Sequence, residues 1–129
     1  MPIEYTLSER GKPGAPDTAA KKFYATAKST GETTVRGIAE RISSISTVST
    51  VDVMAVMEAF FQTVPQELAE GRIVRFGDFG SFRTTLRGGG ADTEKEFNSS
   101  LITDVNVSFT PGRLFDQHMQ GALLRRVEK

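Results

Sequence analysis

The stretch GRIVRFGDFGSF, residues 71–82, decides the fold. Phe76, Phe79 and Phe82 surround two glycines, Gly77 and Gly80, with Arg75 just ahead and Arg83 just behind. A glycine loop that cradles phosphate opens through successive backbone N–H groups onto a helix N-terminus. Here bulky rings separate the glycines, and the next residues have the period of a strand: Phe82, Thr84 and Leu86 alternate with Arg83, Thr85 and Arg87. The stretch therefore reads as a tight turn at Gly77 and Asp78 between two strands, the first carrying Val74 and Phe76, and not as a nucleotide site.

Upstream, Val53, Met57, Phe60, Val64 and Leu68 fall at helical spacing, and Met54 and Phe61 widen that stripe. Ser49, with Asp52 three residues on, forms a capping box that opens this helix, and Gly71 closes it where glycine most easily turns left-handed. Pro65 removes a backbone hydrogen bond at a cost of about 3 kcal/mol and predicts a kink or break near Phe61 to Pro65. A shorter helix precedes it, with Val35, Ile38, Ile42 and Ile45 on one side, a cap from Thr33 or Thr34, and an end near Ser43 and Ser44. Earlier still, PIEYTLS (residues 2–8) and KFYATAK (residues 22–28) alternate as strands. Between them, the glycine- and proline-rich GKPGAPD, residues 11–17, reads as loop.

Downstream, GGGADTEKEFNSS, residues 88–100, has no periodicity and predicts a flexible excursion. The chain returns as a strand in LITDVNVSF, residues 101–109, with Leu101, Thr103, Val105, Val107 and Phe109 on one face. Thr110 and Pro111 have the form of an N-cap and a first-turn proline, opening a helix to about Leu124. The order is β-β-α-α-β-β-β-α, an α+β fold.

A chain of 129 residues suits one domain with tails. It has no apolar run of the ~18 residues that span a membrane, no cysteine for disulfides or thiolate metal sites, and no secretory leader, so a soluble intracellular chain is expected. The net charge of zero is unevenly spread: +2 over residues 1–43, −4 over 50–71, +3 over 72–87, −3 over 92–104 and +2 over 112–129. The most concentrated positive block thus coincides with the aromatic turn, which suits a polyanion such as nucleic acid. His118 and Asp116, two residues apart on a helix, point to different faces and form no catalytic dyad. No nucleophile stands beside a base and no His/Cys cluster offers a metal site, so neither an enzyme nor a cofactor is expected.

Two helices, the turn Gly77-Asp78-Phe79-Gly80-Ser81-Phe82, the excursion, the return strand and FTPGRL (residues 109–114) together resemble the bacterial histone-like family of HU and integration host factor. The turn is similar to that family's GFGTF, and FTPGRL to its F-x-x-G-x-x-L entry into the last helix. The resemblance covers about residues 34–120. It implies an intertwined dimer, expected here as a homodimer, with a helical base, an antiparallel β saddle and two arms that grip bent double-stranded DNA. On that pattern residues 1–33 form an N-terminal extension with two strands, 34–124 the HU-like domain and 125–129 a tail.

The resemblance implies a dimer core of Phe60, Phe61, Phe76, Phe79 and Phe82. It implies DNA contacts from Arg83 and Arg87 first, then Arg72, Arg75, Lys95 and Arg113. The expected role is a non-enzymatic, sequence-tolerant architectural protein of the cytoplasm and nucleoid; the alternative is an HU-like structural or protein-interaction module. This sequence departs from the family in its arm. Residues 88–100 contain no proline to insert between base pairs, Asp92, Glu94 and Glu96 outnumber Lys95, and Phe97 is the only apolar wedge on offer.

Overall fold

The computed structural model describes residues 2–10 and 21–128; the loop expected at residues 11–17 lies outside them. The described residues form a mixed α+β fold with three α-helices and two three-stranded sheets. The chain divides into two compact units, residues 1–34 with 119–129, and residues 35–118. No helix among the described residues is long and apolar enough to cross a membrane.

The first unit is a sheet of order β2-β1-β6. Strand β1 (Ile3–Arg10) pairs antiparallel with β2 (Lys22–Lys28) from Glu4 opposite Lys28 to Arg10 opposite Lys22. Strand β6 (Leu124–Arg126) pairs with β1 in parallel, Ile3 opposite Leu124. The bonds from Ile3 N–H to the Leu123 carbonyl (2.7 Å) and from Val127 N–H to the Tyr5 carbonyl (2.8 Å) extend that pairing. The last helix does not reach Leu124, as its pattern suggests. It stops at Gln120, ahead of Gly121, and Leu124 begins a strand instead. Glycine is a poor helix residue, and the apolar pair beyond it, Leu123 and Leu124, belongs to a sheet formed with residues far away in sequence.

In the second unit, α1 (Val35–Ser44) packs on α2 (Thr50–Ala69), with Ala39 fully buried. The Ser49 hydroxyl accepts from Asp52 N–H at 3.2 Å, as the capping box requires. At the other end Gly71, at φ 85°, donates to the Leu68 carbonyl and Arg72 N–H to that of Glu67, a paired closure that satisfies two terminal carbonyls. The break expected at Pro65 is absent and α2 runs through it. One missing hydrogen bond is outweighed by what lies beyond the proline: Leu68, only 5% exposed, meets the sheet only if the helix continues.

The second sheet has the order β3-β4-β5, with β3 Val74–Arg75, β4 Gly80–Gly88 and β5 Ile102–Pro111. The turn between β3 and β4 is one turn of 3-10 helix, Gly77–Phe79. Phe82 faces Phe109, Thr84 faces Val107 and Leu86 faces Val105, all on the side that packs toward α2, where the Thr84 hydroxyl donates to the Leu68 carbonyl at 3.0 Å. The single face expected for residues 101–109 is interrupted, because the register slips between Arg87 and Gly88 and Leu101 lies in a second 3-10 turn, Ser99–Leu101. Helix α3 (Arg113–Gln120) starts two residues later than Pro111 suggests, since Pro111 still belongs to β5.

Seven phenylalanines form one chain of ring contacts. Phe60 meets Phe76 at 5.1 Å and Phe61 at 6.2 Å; Phe82 meets Phe109 at 4.7 Å; Phe115 of α3 meets Phe79 at 4.9 Å. Phe76 joins Phe79 and Phe82 at about 6 Å, so the two halves are continuous. This cluster does not close the core. Ala39, Val53 and Leu68 are the only buried apolar side chains among the described residues. Leu86, Val105 and Val107 are each at least 60% exposed and, with Val64, Pro65 and Leu68, line an open apolar groove of about 540 Å³.

Candidate nucleic-acid interface

The side of the β3-β4-β5 sheet away from the rings is polar throughout. The register places Arg75 opposite Ser81, Ser81 opposite Thr110, Arg83 opposite Ser108, Thr85 opposite Asn106 and Arg87 opposite Asp104. Strict alternation along β4 and β5 produces this separation: each residue between two of these points to the aromatic side. Arginine, serine, threonine and asparagine are the side chains that donate to phosphate oxygens, and here they share one surface with a single carboxylate, Asp104. Arg83 and Arg87 are four residues apart on one strand, about 13 Å. Arg75, Arg83 and Arg87 are exposed, and none enters an ion pair among the described residues.

The structure thus brings together three of the six cations singled out in the sequence. Arg72 is engaged elsewhere: its guanidinium bonds Glu67 at 2.9 Å and also Glu70, and these carboxylates, Glu67 first, hold its pKa above the ordinary value. Arg113 pairs with Asp78 at 3.0 Å. Lys95 stands in the excursion beside Glu94 and Glu96, all exposed. Reading the sequence for charge alone misses Ser81, Thr85, Asn106, Ser108 and Thr110. Their signal is the same alternation that marks the strands, which assigns every second residue of DVNVSFT to the face of Arg83.

Two glycines hold this surface to the turn. Gly80 is buried at φ 144°, and a Cβ there would lie 2.5 Å from the Thr110 carbonyl oxygen. At Gly112 a Cβ would lie 2.2 Å from the carbonyl oxygen of Asp78. Around them Arg75, Ser81 and Thr110, with Pro111, line a shallow hollow of about 250 Å³.

The excursion contains local turn hydrogen bonds. Glu96 N–H donates to Thr93, Phe97 N–H to the Glu94 carbonyl at 3.3 Å, and the Asn98 side chain caps the 3-10 turn by accepting from Ser100 N–H at 2.9 Å. The stretch expected as an aperiodic excursion forms successive turns, for which Thr93 and Asn98 supply side-chain acceptors.

Among curated proteins none matches the chain. Among solved structures it is similar to a protein from Bacteroides vulgatus provisionally designated a bacterial DNA-binding protein, with a TM-score of 0.66 at 15% identity. That likeness covers 98% of this chain and 49% of the other, so this chain spans about half the length of that protein. At this identity it speaks for the fold. The model of one family, described as the HU domain fused to wHTH, Ig, or Glycine-rich motif, matches residues 1–126, and the chain therefore belongs to the HU-HIG family.

Proposed function

We propose that this protein is a non-enzymatic DNA-binding protein of architectural type, which holds double-stranded DNA by its backbone through the polar face of β4 and β5. The observation that carries this reading is the cross-strand array of Arg83 and Arg87 with Ser108, Asn106 and Thr85. Its groups suit phosphate, and in this reading they hold the duplex by its backbone, so binding is sequence-tolerant. The family and the designation of its structural neighbour agree with DNA as partner.

The working form in this reading is a homodimer. The apolar groove between α2 and the sheet, and the part-exposed Phe60, Phe61 and Phe79, are covered by a second copy, which makes the phenylalanine cluster a shared core. Phe76 and Phe82 link that cluster within each chain. Arg75 extends the DNA-facing surface, whereas Arg72, Lys95 and Arg113 are secondary contacts at most, given their acidic neighbours. The acidic excursion argues against sharp, wedge-driven bending. A protein of this kind works in the cytoplasm, on the nucleoid.

Titration of a short mixed-sequence duplex at low salt tests the reading. Binding that weakens steeply as salt rises is expected, because displaced counterions dominate such contacts. Absence of binding at low salt rejects it in favour of an HU-like protein-interaction module.

A further inference from the structure

The β2-β1-β6 sheet has two chemically different faces. Tyr5, Leu7, Ala25, Ala27 and Leu124 line an apolar hollow on one. The register assigns the intervening residues to the other: Glu4 opposite Lys28, Thr6 opposite Thr26, Ser8 opposite Tyr24, and Arg10 opposite Lys22. Side-chain contacts agree, with Ser8 Oγ 3.4 Å from Thr26 Oγ1 and Arg125 bonded to Glu4. This face holds four cations, Arg10, Lys22, Lys28 and Arg125, against one anion, Glu4.

Arg125 already occupies Glu4, whose side chain is 19% exposed. Arg10, Lys22 and Lys28 are exposed and enter no ion pair among the described residues. Lysines on an edge strand such as β2 are a common guard against stray pairing. That does not explain Arg10 directly across from Lys22, because like charges at opposed positions weaken the strand pair. An anion laid over the face relieves this repulsion. A second copy does not fit the edge: antiparallel pairing of two β2 strands about Ala25 sets Lys22 against Lys28. Between the cations lie the hydroxyls of Ser8 and Thr26 and the half-exposed ring of Tyr24, groups that bond phosphate and sugar or stack on a base.

We propose that this face is a second phosphodiester-binding surface, along which a nucleic-acid backbone runs parallel to β2. Lys22 and Lys28 are about 20 Å apart, the rise of roughly six nucleotides in a duplex strand. The inference rests on the DNA-binding reading and extends it to a region distinct in sequence from Arg83 and Arg87.

The test uses the full chain and compares the wild type with Arg10→Gln/Lys22→Gln/Lys28→Gln and with Arg83→Ala/Arg87→Ala, measuring affinity for a short duplex and for a single strand across a salt series. Loss of three phosphate contacts lowers the slope of log affinity against log salt by about 2 to 3 on duplex. A reduction on either nucleic acid supports the proposal, and the larger one identifies the form preferred. An unchanged slope in a folded triple variant, with Arg83→Ala/Arg87→Ala still weakened, overturns the proposal and leaves the DNA-binding reading standing. Failure of the wild type to bind either nucleic acid rejects both. Should the triple variant not fold, amine labelling of the wild type decides: Lys22 and Lys28 are protected by nucleic acid if the proposal holds, and label equally with and without it if it does not. Protection by polyglutamate alone assigns the face to an acidic protein and also overturns it.

Discussion

The backbone N–H of Gly112 donates to the carbonyl of Phe79 at 2.9 Å, fastening the entrance of α3 to the aromatic turn. Phe115 then lies against Phe79, and Gly80 lies against the Phe109 ring and the Thr110 carbonyl. The two motifs most legible in the sequence are thus two sides of one contact.

That contact tolerates no side chain at its centre. Gly112→Ala and Gly80→Ala each are expected to destabilise the fold by about 2 kcal/mol or more, through overlap with backbone oxygen and, at Gly80, an unfavourable φ. Gly71→Ala, at φ 85° with nothing within 4 Å of the added carbon, costs only about 1 kcal/mol. Urea unfolding of the three variants measures the order.

Thr84 lies on the apolar side of β4, yet its hydroxyl donates to the Leu68 carbonyl near the end of α2, beside the Gly71 N–H. Thr84→Val keeps the shape and leaves that carbonyl with the Gly71 N–H as donor but without the hydroxyl, at a cost of about 1 kcal/mol. Thr84→Ser retains the donor and recovers most of the loss, as read from the same unfolding curves.

The proposed closure of the groove by a second copy makes oligomeric state the next readout. Sedimentation equilibrium should give twice the 14.1 kDa of one chain, and the melting temperature should rise with concentration. Val107→Asp, which puts a charge into the groove, is expected to shift the protein toward monomer. A wild type that is monomeric at every concentration contradicts the dimer.

How much of the fold is legible in the sequence depends on how local each signal is. The β4 alternation and the Ser49 cap depend on neighbours in the chain, and both are found where the pattern places them. Strand β6 is not legible, because three residues carry no periodicity and their strand partner, β1, lies at the other end of the sequence. Pro65 misleads for the opposite reason: its local penalty is real, but packing beyond it decides. For the candidate interface, Arg83 and Arg87 are readable from strand period, whereas the engagement of Arg72 by Glu67 and Glu70 depends on how the chain turns after α2.

The excursion is expected to oppose binding. Asp92→Asn/Glu94→Gln/Glu96→Gln removes negative charge that repels phosphate and should raise duplex affinity several-fold at low salt, with the gain shrinking as salt screens it. Fluorescence anisotropy at two salt concentrations checks this.

The proposal that DNA is held on the polar face of β4 and β5 makes one quantity decisive: the salt dependence of duplex affinity in Arg83→Ala/Arg87→Ala, set beside Arg72→Ala. The double variant should bind more weakly and lose about 2 from the slope of log affinity against log salt, while Arg72→Ala, whose guanidinium is already held by Glu67 and Glu70, stays near the wild type. Equal slopes for the wild type and the double variant would contradict binding on this face.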